Sequence, residues 1–178
     1  MKLLETWAID PRLQGADVLI VAECLTSVAP QQCAPFLEKH QIVLTICPES
    51  ETEAIVYGKL ATMMVSAHPA HITVLTTECS RHCALVHGSV NEALYITGLN
   101  IPVQHLVCVY DKDEREWATY EISPDAARVA RYLHLVDKLI RQNPEILNEL
   151  RHYSLEYRKA LEVQQPWTRL EGSRTKPQ

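Results

Sequence analysis

Four short apolar runs constrain this chain more than anything else in it. They are ADVLIVAE at residues 16–23, QIVLTI at 41–46, HITVLTT at 71–77 and PVQHLVCVY at 102–110. Each is too short for a buried helix and is rich in Val, Ile or Thr. Continuous runs of that kind fit strands covered on both faces, as in a parallel sheet.

The segments between the runs read as helices. SETEAIVYGKLATMMVSAH (50–68) carries a capping-box pattern in Ser50 and Glu53. Val56, Leu60, Met63, Met64 and Ala67 fall on one face of it. ALVHGSVNEALYITG (84–98) places Val86, Val90, Ala93, Leu94 and Thr97 together, and Gly98 can close it. APQQCAPFLEKH (29–40) is a weaker helix because Pro35 lies inside it. Strand and helix in alternation imply βαβ crossovers. The expected fold is a three-layer α/β domain of the flavodoxin or Rossmann-like type, over residues 1–123. Its sheet is mainly parallel, with about four to five strands.

DKDEREWATYEIS (111–123) reads as a polar turn and a short strand, an edge hairpin that closes the sheet. Asp111, Asp113, Glu114 and Glu116 are expected to be a solvated turn. Two helices are expected over 124–164, started by Pro124 and Pro144, as a hairpin that docks or dimerises. Residues 165–178 are rich in Arg, Thr, Ser, Gly and Pro, and are expected to be a disordered tail.

Composition excludes several functions. The chain has 178 residues and a formal net charge of −5, so it lacks the basic surface of a nucleic-acid binder. Aromatic residues are 6% of it, too few for a base-stacking platform. No run reaches the roughly 18 apolar residues of a membrane span, and no signal peptide is visible, so the expected location is cytoplasmic. The five glycines build no glycine-rich loop after a strand, which removes the dinucleotide and phosphate-loop fingerprints. There is neither a G-x-S-x-G elbow nor an H-E-x-x-H helix. No residue identifies a reaction.

The six cysteines carry the chemistry. In a reducing compartment they read as ligands, redox groups or core residues. Cys24 follows the first run, Cys47 the second, and Cys79 and Cys83 the third. Ligands of parallel α/β sheets bind beyond the carboxyl ends of the strands. If the first strand lies between the second and third, these thiols share one edge. His82 or His87 could complete a metal site, since imidazole suits zinc and iron. Glu78 could accept a proton, although an ordinary loop carboxylate is its simpler reading. His68 and His71 are read as structural, on the opposite edge. Cys33 and Cys108 are read as buried apolar residues.

The segments ADVLIVAEC, QIVLTICP, ITVLTTE...C and NEAL...G..IPV resemble the C-terminal Cys-rich α/β domain of small ferredoxin-like iron–sulfur proteins of anaerobic bacteria and archaea. The resemblance spans about residues 16–110. The family pattern is A-D-x-L-x-x-A-x-C, then G-C-P-K, then E-V-P-C-C. Cys24 and Cys47 match its first two cysteines and Cys83 the last of the adjacent pair. His82 stands where the other cysteine of that pair would be. Cys79 is additional, and Glu49 replaces the Lys. The C-x-x-C-x-x-C ferredoxin module is absent.

The resemblance implies a metal-binding or redox domain. Cys24, Cys47, Cys79 and Cys83 would suit a four-iron (4Fe-4S) cluster used in electron transfer or as an accessory to a redox partner protein or larger complex. An alternative is zinc, held structurally or in a hydrolytic site similar to a β-type carbonic anhydrase. Leu-Thr-Ser after Cys24 replaces the Asp-x-Arg such an enzyme would require. A third reading is a metal-free interaction scaffold, with the C-terminal helices as a homodimer contact.

Overall fold

The computed structural model describes residues 1–51, 53–78, 82–122 and 167–177. The helical hairpin expected over 124–164 and Cys79 lie outside the described residues. The four apolar runs form β1 (Asp17–Ala22), β2 (Ile42–Ile46), β3 (His71–Thr77) and β4 (Val103–Asp111). Between them lie α1 (Leu25–Val28), α2 (Pro30–Lys39), α3 (Glu53–Ala67) and α4 (Cys83–Thr97). Two further strands, β5 (Glu116–Ile122) and β6 (Trp167–Arg169), complete one sheet in the order β2-β1-β3-β4-β5-β6. Strands β1 to β4 are mutually parallel, and β5 and β6 are antiparallel additions.

Why the runs lack alternation is visible in β1. Val18 and Ile20 pack into a core with Leu60, Met63, Met64, Val86 and Val90 of α3 and α4. Leu19 and Val21 enter a second core with Leu25, Ala29 and Cys33 of α1 and α2. A central strand covered on both sides has no wet face to mark with polar residues. The five α3 residues expected to face the sheet, Val56, Leu60, Met63, Met64 and Ala67, are all buried. Gly98 ends α4 at φ +67°, with its N–H bonded to the Leu94 carbonyl 2.9 Å away. This left-handed position favours glycine.

Two expectations change. The sheet has six strands, one more than the upper expectation, and from Trp167 on the tail is built into it. Trp167, Thr168 and Arg169 pair with Ile122, Glu121 and Tyr120, and Thr175 bridges to Trp117. Composition suggested disorder, but these bonds are made by the backbone on a strand edge, which needs no particular side chain. At the other edge, the Thr45 amide donates to Met1 O at 2.7 Å and the Leu3 amide to Thr45 O at 2.8 Å. The N-terminal segment thus partly covers β2, and the C-terminal segment covers β5 as β6, which blunts edge-to-edge association at those strands.

The β4–β5 turn is the expected hairpin. Asp111 Oδ1 accepts from the amides of Asp113 (2.8 Å) and Glu114 (3.1 Å), a side chain replacing a backbone turn bond. Arg115 closes the turn at φ +55°, which a side chain disfavours. Beside it, Glu114 makes an exposed ion pair with Arg174 at 2.9 Å. Arg115→Gly is expected to stabilise the protein by about 0.5–1 kcal/mol, less any entropy that glycine adds to the unfolded chain. Thermal unfolding of the two proteins checks it.

Candidate functional site

The strand order places β1 between β2 and β3. The chain leaves β1 through α1 and α2 toward β2, then crosses back through α3 to β3. The point where the winding reverses, between β1 and β3, opens a crevice at the carboxyl ends of the strands. Glu23 and Cys24 end β1 on one side of it, and Thr77 and Glu78 end β3 on the other. Adjacent strands are about 4.8 Å apart, so residues following β2, β1 and β3 meet along one short rim.

Cys24 is exposed and immediately precedes α1. The turn behind it is held by Glu23, whose amide donates to Ile46 O at 2.9 Å and whose carbonyl accepts from Thr26 Oγ1 at 2.8 Å. Cys47 is half-buried just past β2. Its carbonyl accepts both the Ser50 amide at 3.0 Å and the Ser50 hydroxyl at 3.1 Å. Ser50 therefore closes a turn on the cysteine, where the sequence pattern had it capping the helix. Cys83 is the first residue of α4 and is 4% exposed. It packs with the α2-side core, whereas Val86 and Val90 join the α3-side core. The start of α4 thus lies across the strand ends. Helix N-termini carry positive potential, which favours a thiolate there.

His82 precedes α4, and its Nδ1 lies 2.8 Å from Glu49 Oε2. These two residues occupy the positions where the chain departs from the resembled pattern, and the fold brings them together. Sequence reasoning noted each departure and missed their pairing, because 33 positions separate them in the chain. Glu51, two residues on, was also missed. One of its carboxyl oxygens is buried with no hydrogen-bond partner. Burial raises its pKa; Lys2 opposes the shift, and Glu23 and Glu5 add to it.

The remaining candidates are placed elsewhere. His87 is fully buried under α4, with Nε2 2.8 Å from Thr76 Oγ1 and Nδ1 2.9 Å from His105 Nδ1. Both its nitrogens are engaged inside the core, with Thr76 and His105. His71 Nδ1 lies 3.2 Å from Asp17 Oδ1 at the opposite end of the strands, and His68 ends α3 at φ +46°. Cys33 and Cys108 are 0% exposed. Burial pushes the Cys33 thiol up to about 11, with Cys24 adding to it, and the Cys108 thiol up to about 12. They behave as the apolar core residues expected of them. Among the described residues, no three His, Cys, Asp or Glu side chains gather as the donors of one metal ion. Among the described residues, no helix is long and apolar enough to cross a membrane.

An open α/β sheet with its crevice at a winding reversal defines a Rossmann-like domain. Residues 10–166 match the sequence model of the Rossmann-like domain family, and the chain belongs to that family. No curated protein matches it, and no solved structure does.

Proposed function

We propose that this protein binds a metal through thiolates at the carboxyl rim of its parallel sheet. The observation that carries this reading is the strand order β2-β1-β3, which sets the segments bearing Cys47, Cys24 and Cys83 side by side at the crevice. Cys79, which falls between β3 and α4 in the sequence, would be the fourth donor. Four thiolates suit a four-iron cluster, tuned by solvent exposure and nearby N–H groups, and the role would be electron transfer or service to a redox partner. The cluster would supply one-electron chemistry. The chain's own part is to hold the thiols, with Cys83 at the start of α4.

A second reading is zinc, and the Glu49–His82 contact favours it. Histidines that ligate metals commonly turn their other nitrogen to a carboxylate, which fixes the ring. With Nδ1 turned to Glu49, His82 could stand in for one thiolate through Nε2.

Protein purified without oxygen should be assayed for iron, acid-labile sulfide and zinc, with a visible spectrum. Iron and sulfide in equal amounts, lost in Cys24→Ser and in Cys83→Ser, establish the cluster. About one zinc per chain, lost in Cys83→Ser and reduced in Glu49→Gln by about 10-fold in affinity, establishes the second reading. Metal-free protein whose Cys24 and Cys47 alkylate at the rate of a small thiol overturns both.

A further inference from the structure

Beneath α4 lies a polar chain that the metal reading does not use. It runs Thr76 Oγ1, His87 Nε2, His87 Nδ1, His105 Nδ1, His105 Nε2, Asn91 Oδ1, with contacts of 2.8, 2.9 and 3.1 Å. His87 is 0% exposed and His105 1%. The hydrogen positions follow from the partners. Asn91 Oδ1 can only accept, so His105 carries its proton on Nε2. Its Nδ1 then accepts, so His87 carries its proton on Nδ1. Its Nε2 accepts in turn from the Thr76 hydroxyl. All four ring nitrogens are paired, every bond points the same way, and both rings are neutral. The chain fastens α4, through His87 and Asn91, to β3 through Thr76 and to β4 through His105.

We propose that the His87–His105 pair is an acid-released latch that fastens α4 to the sheet. A first added proton would be a buried charge with only the neutral Thr76 hydroxyl and Asn91 carbonyl to accept from the rings. A second would set two N–H groups against each other across 2.9 Å. Among the described residues the surroundings offer no relief, and on β5 the partner of His105 is the apolar Ile122. From α4 the other titratable neighbour is the buried Cys83, one turn before His87. From β3 the facing residues are Ile72, Val74 and Thr76, and α3 turns Leu60, Met63 and Met64 inward. No carboxylate acts on either ring among the described residues; burial holds both below the ordinary histidine value, and His105 adds to the effect on His87.

The sign follows. The seated rings bind protons less readily than released ones. Release is therefore unaffected above the ordinary value near 6.5 and grows as pH falls below it, by up to tenfold per unit for each histidine. For His105 the growth continues to its seated value of about 4. Because α4 begins at Cys83, the latch also governs how firmly that end of the rim is held.

Hydrogen exchange of the full chain from pH 7.5 to 4.5, corrected for intrinsic rates, tests this. Amides of α4 should lose at least tenfold in protection between pH 6.5 and 4.5, while those of α3 and β1 change less than threefold. In His87→Met the pH dependence of α4 should shrink to the share of His105 alone, and in the double variant His87→Met/His105→Leu it should vanish, whatever its baseline. If neither variant folds, the wild-type profile decides alone. Retained protection of α4 at pH 4.5, or loss in α3, β1 and α4 together, overturns the proposal.

Discussion

Leu60→Ala is expected to cost about 3–4 kcal/mol, within the range for truncating a buried leucine. Ile55→Ala on the same helix should cost less than ~0.5 kcal/mol. Leu60 is 0% exposed in the core that α3 shares with β1 and α4, whereas Ile55 is 56% exposed. Removing the Leu60 side chain leaves a cavity among Met63, Met64 and the strand residues, which close packing on two sides prevents from collapsing. In urea, where a domain of this size loses about 1–3 kcal/mol per molar, the Leu60 variant should unfold at least 1 M earlier. The comparison has a second use. Ile55, Tyr57 and Val65 make the outer side of α3 unusually apolar. Equal losses at Leu60 and Ile55 would show that this outer side is covered in solution, and α3 would then be an inner layer.

The parts of the fold that were legible in the sequence are those written in one element at a time. β1 to β4 announced themselves because burial on both faces demands uninterrupted apolar residues, and α3 and α4 because a single sheet-facing stripe repeats along each. Pro35 weakened the expectation for α2, yet the helix forms. Pro30 starts it, and Cys33 and Gln32 are buried within it. What could not be read is pairing between distant elements. Nothing local in His82 or Glu49 says that they meet. His87 looked like a rim residue because it follows Cys83 by four positions. That spacing does give the two a common helix face, but the face is the one turned to the sheet, and His105 waits there on β4. The strand order that aligns Cys24, Cys47 and Cys83 was a condition, not a reading. Parallel neighbours are joined by evenly spaced backbone bonds that leave no mark on residue identity.

The C-terminal segment makes the same point in energetic terms. Gln32 is 4% exposed on α2, and its amide joins elements more than 80 positions away. Nε2 donates to the Ser173 carbonyl and to Thr175 Oγ1 at 2.8 Å, while Oε1 accepts the Thr119 hydroxyl. Thr119 is also held from the tail, its amide donating to Ser173 Oγ at 3.1 Å, and its hydroxyl lies 3.5 Å from Cys108 Sγ. One amide thus fastens α2, β5 and the tail at a single buried point. Gln32→Leu keeps the volume and removes the three bonds that the Gln32 amide makes. Each buried group left unpaired costs about 1–3 kcal/mol. Water reaches the partly exposed tail once it lifts, so the expected loss is about 2–3 kcal/mol rather than the full sum. The decisive readout is local. The Trp117 amide donates to Thr175 O at 2.7 Å and depends on the tail being seated. Its exchange, with that of Thr119, should accelerate at least tenfold in Gln32→Leu, while β1 amides slow or quicken only with global stability. Protection at Trp117 that falls no further than that of β1 would mean that the β5 and β6 backbone pairing alone holds the tail, and that Gln32 is only filling space.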